Sequence, residues 1–169
     1  LIWIGFMVLV LLIPLWAQMK VRGAYNKYLK VGNSTGLTGA EVARKILDHN
    51  GLFNVSIQEV RGTLSDHYDP RTKIVNLSSD IYHGTSLAGT AVAAHEVGHA
   101  IQDAKNYAPL RFRHALVPVA NLGSNLAFPL IIFGAIFGIM GAAWLGVIFF
   151  AAAVLFQIVT LPVEFNASS

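Results

Sequence analysis

The chain has 169 residues, of which 54% are of hydrophobic types and 12% are charged, and this composition indicates a membrane protein rather than an ordinary soluble domain. Cysteine is absent, which excludes disulfides and thiolate ligands, so any metal must be held by His, Asp or Glu. The net charge of +3 is small, and no basic stripe interleaved with aromatic residues points to nucleic acid as a partner.

The first 19 residues carry no charge, and their number is close to the roughly 20 apolar residues that cross the hydrocarbon core of a bilayer. No basic segment precedes this run and no small-x-small cleavage site follows it, so we predict a transmembrane helix over residues 1–19 rather than a cleaved signal peptide. Four basic residues come directly after it, at Lys20, Arg22, Lys27 and Lys30. By the positive-inside rule, the part that follows should be cytoplasmic, next to anionic lipid.

Residues 20–114 should form a small cytoplasmic α+β portion. The composition of Gly32–Gly36 is that of a flexible connector, and the next segment, Thr38-Gly39-Ala40-Glu41, has the form of a capping box. It predicts a short amphipathic helix that ends at Asn50-Gly51.

A small antiparallel sheet should follow this helix. Phe53, Val55 and Ile57 alternate as on a strand, and Asp69-Pro70-Arg71-Thr72 is a turn sequence between extended segments at 63–68 and 73–77. Strand addition is a general mode of peptide recognition, so an edge strand at 74–77 is a candidate for pairing with an extended substrate. An ordinary structural hairpin is the alternative.

The pattern His95-Glu96-Val97-Gly98-His99 lies in a helix that should begin after Ser86 as N-cap and run to about Gln102. Residues four apart share one helix face, so both imidazoles can hold one Zn²⁺ while Glu96 acts as the catalytic base. Two solvated histidines on a helix are the alternative. Asp103 continues the same series and could orient His99, or could be a solvated carboxylate. Since a catalytic zinc site needs three protein ligands, a third must come from elsewhere.

From Ala115 to Val163 the chain has no charged residue, which suits two membrane crossings joined near Gly141-Ala142-Ala143. Gly134 and Gly138 form a Gly-x-x-x-Gly pair that favours close helix packing. Two crossings return the chain to the side of the His-Glu-x-x-His helix, and the first charged residue there is Glu164. We predict that residues 164–169 begin a helix that carries the third zinc ligand, Glu164. The competing candidates are Asp66, Asp69, Asp80, Asp103, His67, His83 and His114.

Four segments together resemble the YugP-like membrane zinc metallopeptidases, a family of bacterial integral membrane proteins. They are Thr38–Ala43, Asp66–Arg71, Ala93–Gln102 and Leu161–Ser168. The resemblance covers nearly the whole chain and implies a zinc-dependent peptidase of the gluzincin type, with His95, His99 and Glu164 as ligands and Glu96 as base. Members of the family continue beyond the position of Ser169.

The fold expected from these observations is a mainly α integral membrane protein with about three transmembrane helices and a small cytoplasmic zincin-like portion. We expect a multi-pass protein of the bacterial inner membrane that binds one Zn²⁺ per chain and cleaves membrane-proximal or unfolded polypeptides at its cytoplasmic face. His67 is a candidate for contact with the substrate or the oxyanion, or a packed turn histidine. The alternative function is an inactive metal-binding scaffold or regulator.

Overall fold

The computed structural model describes the backbone of residues 2–169 and the side chains of residues 12–169. The chain is mostly helical, with one three-stranded sheet. It divides into two compact units, Leu1–Val97 and Gly98–Ser169, and the division falls inside one helix, α4. The elements in chain order are α1 (Ile2–Leu29), α2 (Gly39–His49), β1 (Ser56–Val60), β2 (His67–Asp69), β3 (Ile74–Ser78), α3 (Ser79–His83), α4 (Leu87–Ala104), α5 (Ala108–Phe137) and α6 (Met140–Ala167).

In the part of the chain that the structure describes, two helices, not three, are long and apolar enough to cross a membrane: α5 with 30 residues and α6 with 28. The segment for which we predicted the first crossing is helical within α1, but the side chains of residues 1–11 lie outside the described residues. The described remainder of α1 contains Lys20, Arg22 and Lys27, which dilute its apolar character. Against the expected count of about three spans, the described residues thus provide two candidate spans, and most of the span predicted over residues 1–19 lies outside the described side chains.

The capping box that begins α2 is confirmed. Glu41 N–H donates to the hydroxyl of Thr38 at 3.2 Å, and Thr38 N–H donates to the carboxylate of Glu41 at 2.8 Å, so two otherwise unpaired donors of the first turn are satisfied. These bonds hold the pKa of Glu41 below its ordinary value. Ala43 and Leu47 are fully buried, one turn apart, and they fix which face of α2 joins the core of the first unit.

The segment predicted as a flexible connector is instead held by hydrogen bonds. Asn33 N–H donates to the carbonyl of Thr85 at 2.8 Å, and its side-chain amide donates to the carbonyl of Leu37 and the hydroxyl of Thr90. Leu87 N–H donates to the carbonyl of Val31 at 2.7 Å. The connector thereby fixes the start of α4, where Ser86 serves as the predicted N-cap by accepting a bond from Gly89 N–H.

The sheet has the strand order β1-β3-β2, with β1 and β3 parallel and β2 antiparallel to β3. The hairpin around Asp69-Pro70 is confirmed, but the first strand is Ser56–Val60, and Phe53 is 75% exposed. The proposed edge strand is wrong: β3 lies in the centre, paired with β1 on one side and with β2 on the other. The consecutive residues Val75–Ser78 are all buried, which indicates that β3 is covered on both faces as well as paired at both edges.

The second unit contains the α5–α6 helix pair. The predicted connection near Gly141–Ala143 lies slightly earlier, because α5 ends at Phe137 and Gly138 adopts the left-handed conformation (φ 67°) that a helix C-terminus favours. Gly134 packs against Ala143 as close helix packing requires, whereas Gly138 makes the turn instead of a packing contact. α6 then continues unbroken from Met140 through Glu164, so Glu164 lies near the end of the second hairpin helix rather than on a new one.

Gly98 sets the separation between the C-terminal half of α4 and the end of α6. A Cβ atom at this position would overlap the backbone carbonyl of Ala167. Ala167 and Val163 are buried on the same side of α6. Glycine at residue 98 therefore permits a backbone approach that brings Glu164 beside His99.

Candidate metal centre

His95 and His99 lie one turn apart on α4, so the helix itself places their side chains on one face. His99 is buried at 8% exposure, whereas His95 is half-buried. The predicted helical placement of the His-Glu-x-x-His pattern is thus observed.

Glu164 joins the two histidines. Its Oε2 atom lies 3.5 Å from Nε2 of His99, and one ligand atom from each of His95, His99 and Glu164 falls within 4.8 Å of the others. Two atoms each about 2.1 Å from a tetrahedral zinc ion are about 3.4 Å apart, so the His99–Glu164 separation fits two ligands of one ion. Two imidazole nitrogens and a carboxylate oxygen are also the donor types that zinc prefers. These residues can therefore hold zinc.

Gln102 fixes the orientation of His99. Its side-chain amide donates to the carbonyl of Val163 at 2.8 Å and to Oδ1 of Asn166 at 2.9 Å, so its Oε1 atom is left to accept from His99 Nδ1 at 3.0 Å. With the proton on Nδ1, the neutral ring directs the lone pair of Nε2 towards Glu164. Gln102 is 4% exposed and links α4 to the last turns of α6.

Arg113, near the start of α5, contacts the other carboxylate oxygen of Glu164. Its Nη1 atom lies 2.9 Å from Oε1, and the two side chains are 28% and 35% exposed. This charge-assisted bond orients the carboxylate while its Oε2 atom faces His99. Each oxygen of Glu164 thus faces a different group.

Glu96, the predicted catalytic base, follows His95 directly on α4 and is 9% exposed. Asp103, for which the sequence leaves open both orientation of His99 and a solvated carboxylate, is half-buried near the end of the same helix. The hydrogen-bond partner of His99 Nδ1 is Gln102, the residue that precedes Asp103. The orienting role of Asp103 therefore stays a prediction.

The Asp66–Asp69 block serves the β2–β3 hairpin. Asp66 accepts bonds from the backbone N–H and the hydroxyl of Ser78, and Asp69 accepts one from Arg71 N–H. Donation from the backbone of Arg71, then from the hydroxyl of Thr72, holds the pKa of Asp69 below its ordinary value.

His67, a candidate for contact with the substrate or the oxyanion and otherwise a packed turn histidine, has both ring nitrogens in local hydrogen bonds. Nδ1 donates to the carbonyl of Ser65 at 2.8 Å, and Nε2 accepts from the side-chain amide of Asn76 at 3.2 Å. Among the competing third ligands, His83 pairs with Glu59 at 3.1 Å. The pKa of Glu59 lies below its ordinary value because its carboxylate accepts hydrogen bonds, first from the Ser79 hydroxyl and then from His83.

Sequence reasoning missed Gln102, Arg113 and Asn166. For Gln102 a signal existed, because a residue three positions after His99 lies on the same face of α4. For Arg113 and Asn166 the sequence carries no comparable signal, since their partners are on other helices.

Two comparisons with known proteins bear on this centre. Over residues 3–169 the sequence matches the family described as "Putative neutral zinc metallopeptidase". It is also 52% identical over 154 residues to the "Putative membrane protease YugP" of Bacillus subtilis (strain 168), an alignment that covers 91% of this chain and 68% of that protein. No solved structure matches the chain. The family match includes every residue of the candidate centre.

Proposed function

The chain belongs to the neutral zinc metallopeptidase family, and from this premise we propose that it is a membrane-embedded, zinc-dependent endopeptidase. The observation that carries the proposal is the convergence of His95, His99 and Glu164, whose ligand atoms lie within 4.8 Å of one another. Catalytic zinc sites use three protein ligands and keep a fourth position for water, whereas structural sites use four. The donor set therefore supports hydrolysis rather than a purely structural site.

The reaction assigns a separate role to Glu96. Zinc held by the three ligands would lower the pKa of a water molecule and polarise the scissile carbonyl group. Glu96 accepts a proton from the attacking water and passes it to the amide nitrogen as the C–N bond breaks, so that a carboxylic acid and an amine are released. Its position directly after His95 on α4 supports this role.

The two apolar helices support an integral membrane protein. Large side chains along α5 and α6 are exposed, among them Phe128, Ile136 and Ile148 at 60–71%, and lipid would cover them. The basic residues that follow residue 19 favour a cytoplasmic position for the first unit. Because a two-crossing hairpin returns to its starting side, we place the active site at the cytoplasmic face of the bacterial inner membrane.

The position of Glu164 supports a proposal for the substrate class. This proposed ligand lies within the last turn of a candidate membrane span, so the metal centre should be close to the membrane surface. Membrane-proximal or unfolded polypeptides are the substrates that could reach such a site in extended form. We propose one Zn²⁺ per chain and no nucleic-acid partner.

The first experiment compares Glu96→Gln with the wild type in detergent. The variant should keep one zinc per chain but lose at least about 100-fold in cleavage rate on a panel of unfolded and membrane peptides, because proton transfer is removed. Glu59→Gln, at an exposed position on β1, is the matched control and should cleave normally. Unchanged cleavage by Glu96→Gln would contradict the mechanism. Bound zinc with no cleavage by the wild type would favour the scaffold alternative.

A second experiment tests the orientation of the protein in the membrane. Because the chain has no cysteine, a single one can be introduced as a label site. Arg71→Cys, in the exposed β2–β3 turn, should resist a membrane-impermeant thiol reagent added outside intact cells and react after lysis. Labelling of intact cells would place the active site on the opposite side.

A further inference from the structure

We propose that Arg113 is a positioning residue that makes Glu164 bind zinc through one oxygen only, and this inference rests on the function proposed above. A carboxylate can bind a cation through one oxygen or through both. The second mode would occupy the position that a catalytic site keeps for water. Whatever holds the outer oxygen of Glu164 therefore controls whether that position stays open.

The two oxygens of Glu164 have different surroundings. Oε1 accepts a bond from Nη1 of Arg113 at 2.9 Å, whereas Oε2 lies 3.5 Å from Nε2 of His99. A guanidinium N–H that donates to a carboxylate oxygen forms a charge-assisted bond, which is stronger than a bond between neutral groups and fixes the position of the oxygen. The geometry leaves Oε2 as the oxygen that faces the metal position.

The position of Arg113 is well supported. Leu110, one turn earlier on α5, is 1% exposed and anchors the first turns of that helix. Residues three apart lie on the same face, so burial of Leu110 directs Arg113 towards the same side. Side chains on rigid helices hold a carboxylate more accurately than side chains on loops.

Gln102 supplies the second half of the arrangement. It holds His99 through Nδ1 and contacts the carbonyl of Val163, the residue before Glu164. His99 and Glu164 are therefore each fixed by a hydrogen bond on the side away from the metal position. Loss of Arg113 should remove the contact that holds Oε1 of Glu164, while Gln102 still orients His99.

The test replaces Arg113 by Met and by Lys, with Arg111→Met as the matched control, because Arg111 is an exposed arginine on the same helix. Each protein is loaded with Co²⁺ alone in detergent, and the visible absorption is recorded. Four-coordinate Co²⁺ absorbs several times more strongly than five- or six-coordinate Co²⁺, so the spectrum reports coordination number without requiring activity. Peptide cleavage by the zinc form is measured in parallel, with kcat and KM separated.

We expect Arg113→Met to bind one Co²⁺ with markedly weaker absorption, and to lose about tenfold or more in kcat with little change in KM. Arg113→Lys should recover part of both, and Arg111→Met should match the wild type. A wild-type spectrum and kcat in Arg113→Met would overturn the proposal, as would loss of bound metal from a variant that keeps its helical circular dichroism. A spectral change in Arg113→Met with a wild type that cleaves no peptide would support the positioning role and refute the peptidase function.

Discussion

The region around His99 and the hairpin around His67 contain similar residue types but arrange them differently. Around His67, the partners of both ring nitrogens are local: Ser65 lies just before β2, and Asn76 lies on β3. Around His99, Gln102 holds Nδ1 from the same helix, while Nε2 faces the carboxylate of Glu164 on α6. The first arrangement stabilises a turn. In the second, Nε2 of His99 on α4 and Oε2 of Glu164 on α6 lie 3.5 Å apart, a separation that fits two ligands of one metal ion.

This difference shows how a structural cluster and a ligand cluster can be told apart. In the hairpin, the side chains of Asp66 and Asp69 accept bonds from backbone N–H groups, as turn residues commonly do. In the candidate metal centre, the supporting bonds lie behind the proposed ligands and set the direction in which their candidate metal-binding atoms point. The direction of each polar atom, rather than the presence of His and Asp in a motif, separates the two.

The strongest test of the comparison removes one member from each cluster. Glu164→Ala should lower zinc affinity by more than about 100-fold, because the loss of a ligand should exceed the usual loss from a supporting residue. His67→Ala should keep wild-type zinc affinity and weaken only the hairpin. Zinc per chain after dialysis against a graded chelator series measures both. Zinc loss from His67→Ala, or full zinc affinity in Glu164→Ala, would break the distinction.

A second test asks whether the metal cluster depends on the approach of two helices. Gly98→Ala should overpack the contact with Ala167 and cost about 1–3 kcal/mol, with weaker zinc binding as α6 is displaced. Gly141→Ala is the matched control: its added methyl group meets no atom within 4 Å, so it should be neutral or stabilise by up to about 1 kcal/mol. Thermal unfolding in detergent and zinc titration check both variants. Equal behaviour of the two would show that helix approach does not limit the site.

The smallest expected effect concerns the hairpin turn and pH. Because the pKa of Asp69 is lowered in the folded chain, its ionised carboxylate stabilises the turn above the unfolded value of about 3.9, and this contribution is lost as pH falls through the folded pKa. Asp69→Asn should therefore have a slightly lower Tm than the wild type at pH 7. The difference should narrow below about pH 4, measured in the metal-free proteins. A constant difference across this range would assign the effect to packing instead of charge.

Much of the local structure could be predicted from the sequence. The capping box at Thr38–Glu41, the N-cap at Ser86 and the shared helix face of His95 and His99 all depend on residues a few positions apart. The strand arrangement could not be predicted in the same way, because hydrophobic alternation marks strands without specifying their neighbours. β3 was therefore expected at an edge, although it is central.

The sequence was enough to predict the helix that presents two imidazoles and the long uncharged segment, and to restrict any metal ligands to His and carboxylate, because cysteine is absent. The tertiary structure alone decided that Glu164 meets His99, that Arg113 and Gln102 hold these two side chains, and that Gly98 allows the helices to come close enough. The difference comes from the distance along the chain over which each kind of interaction acts. Helix periodicity and capping bonds act within one or two turns, whereas the proposed ligand set depends on where the α5–α6 pair turns and how closely α6 returns to α4.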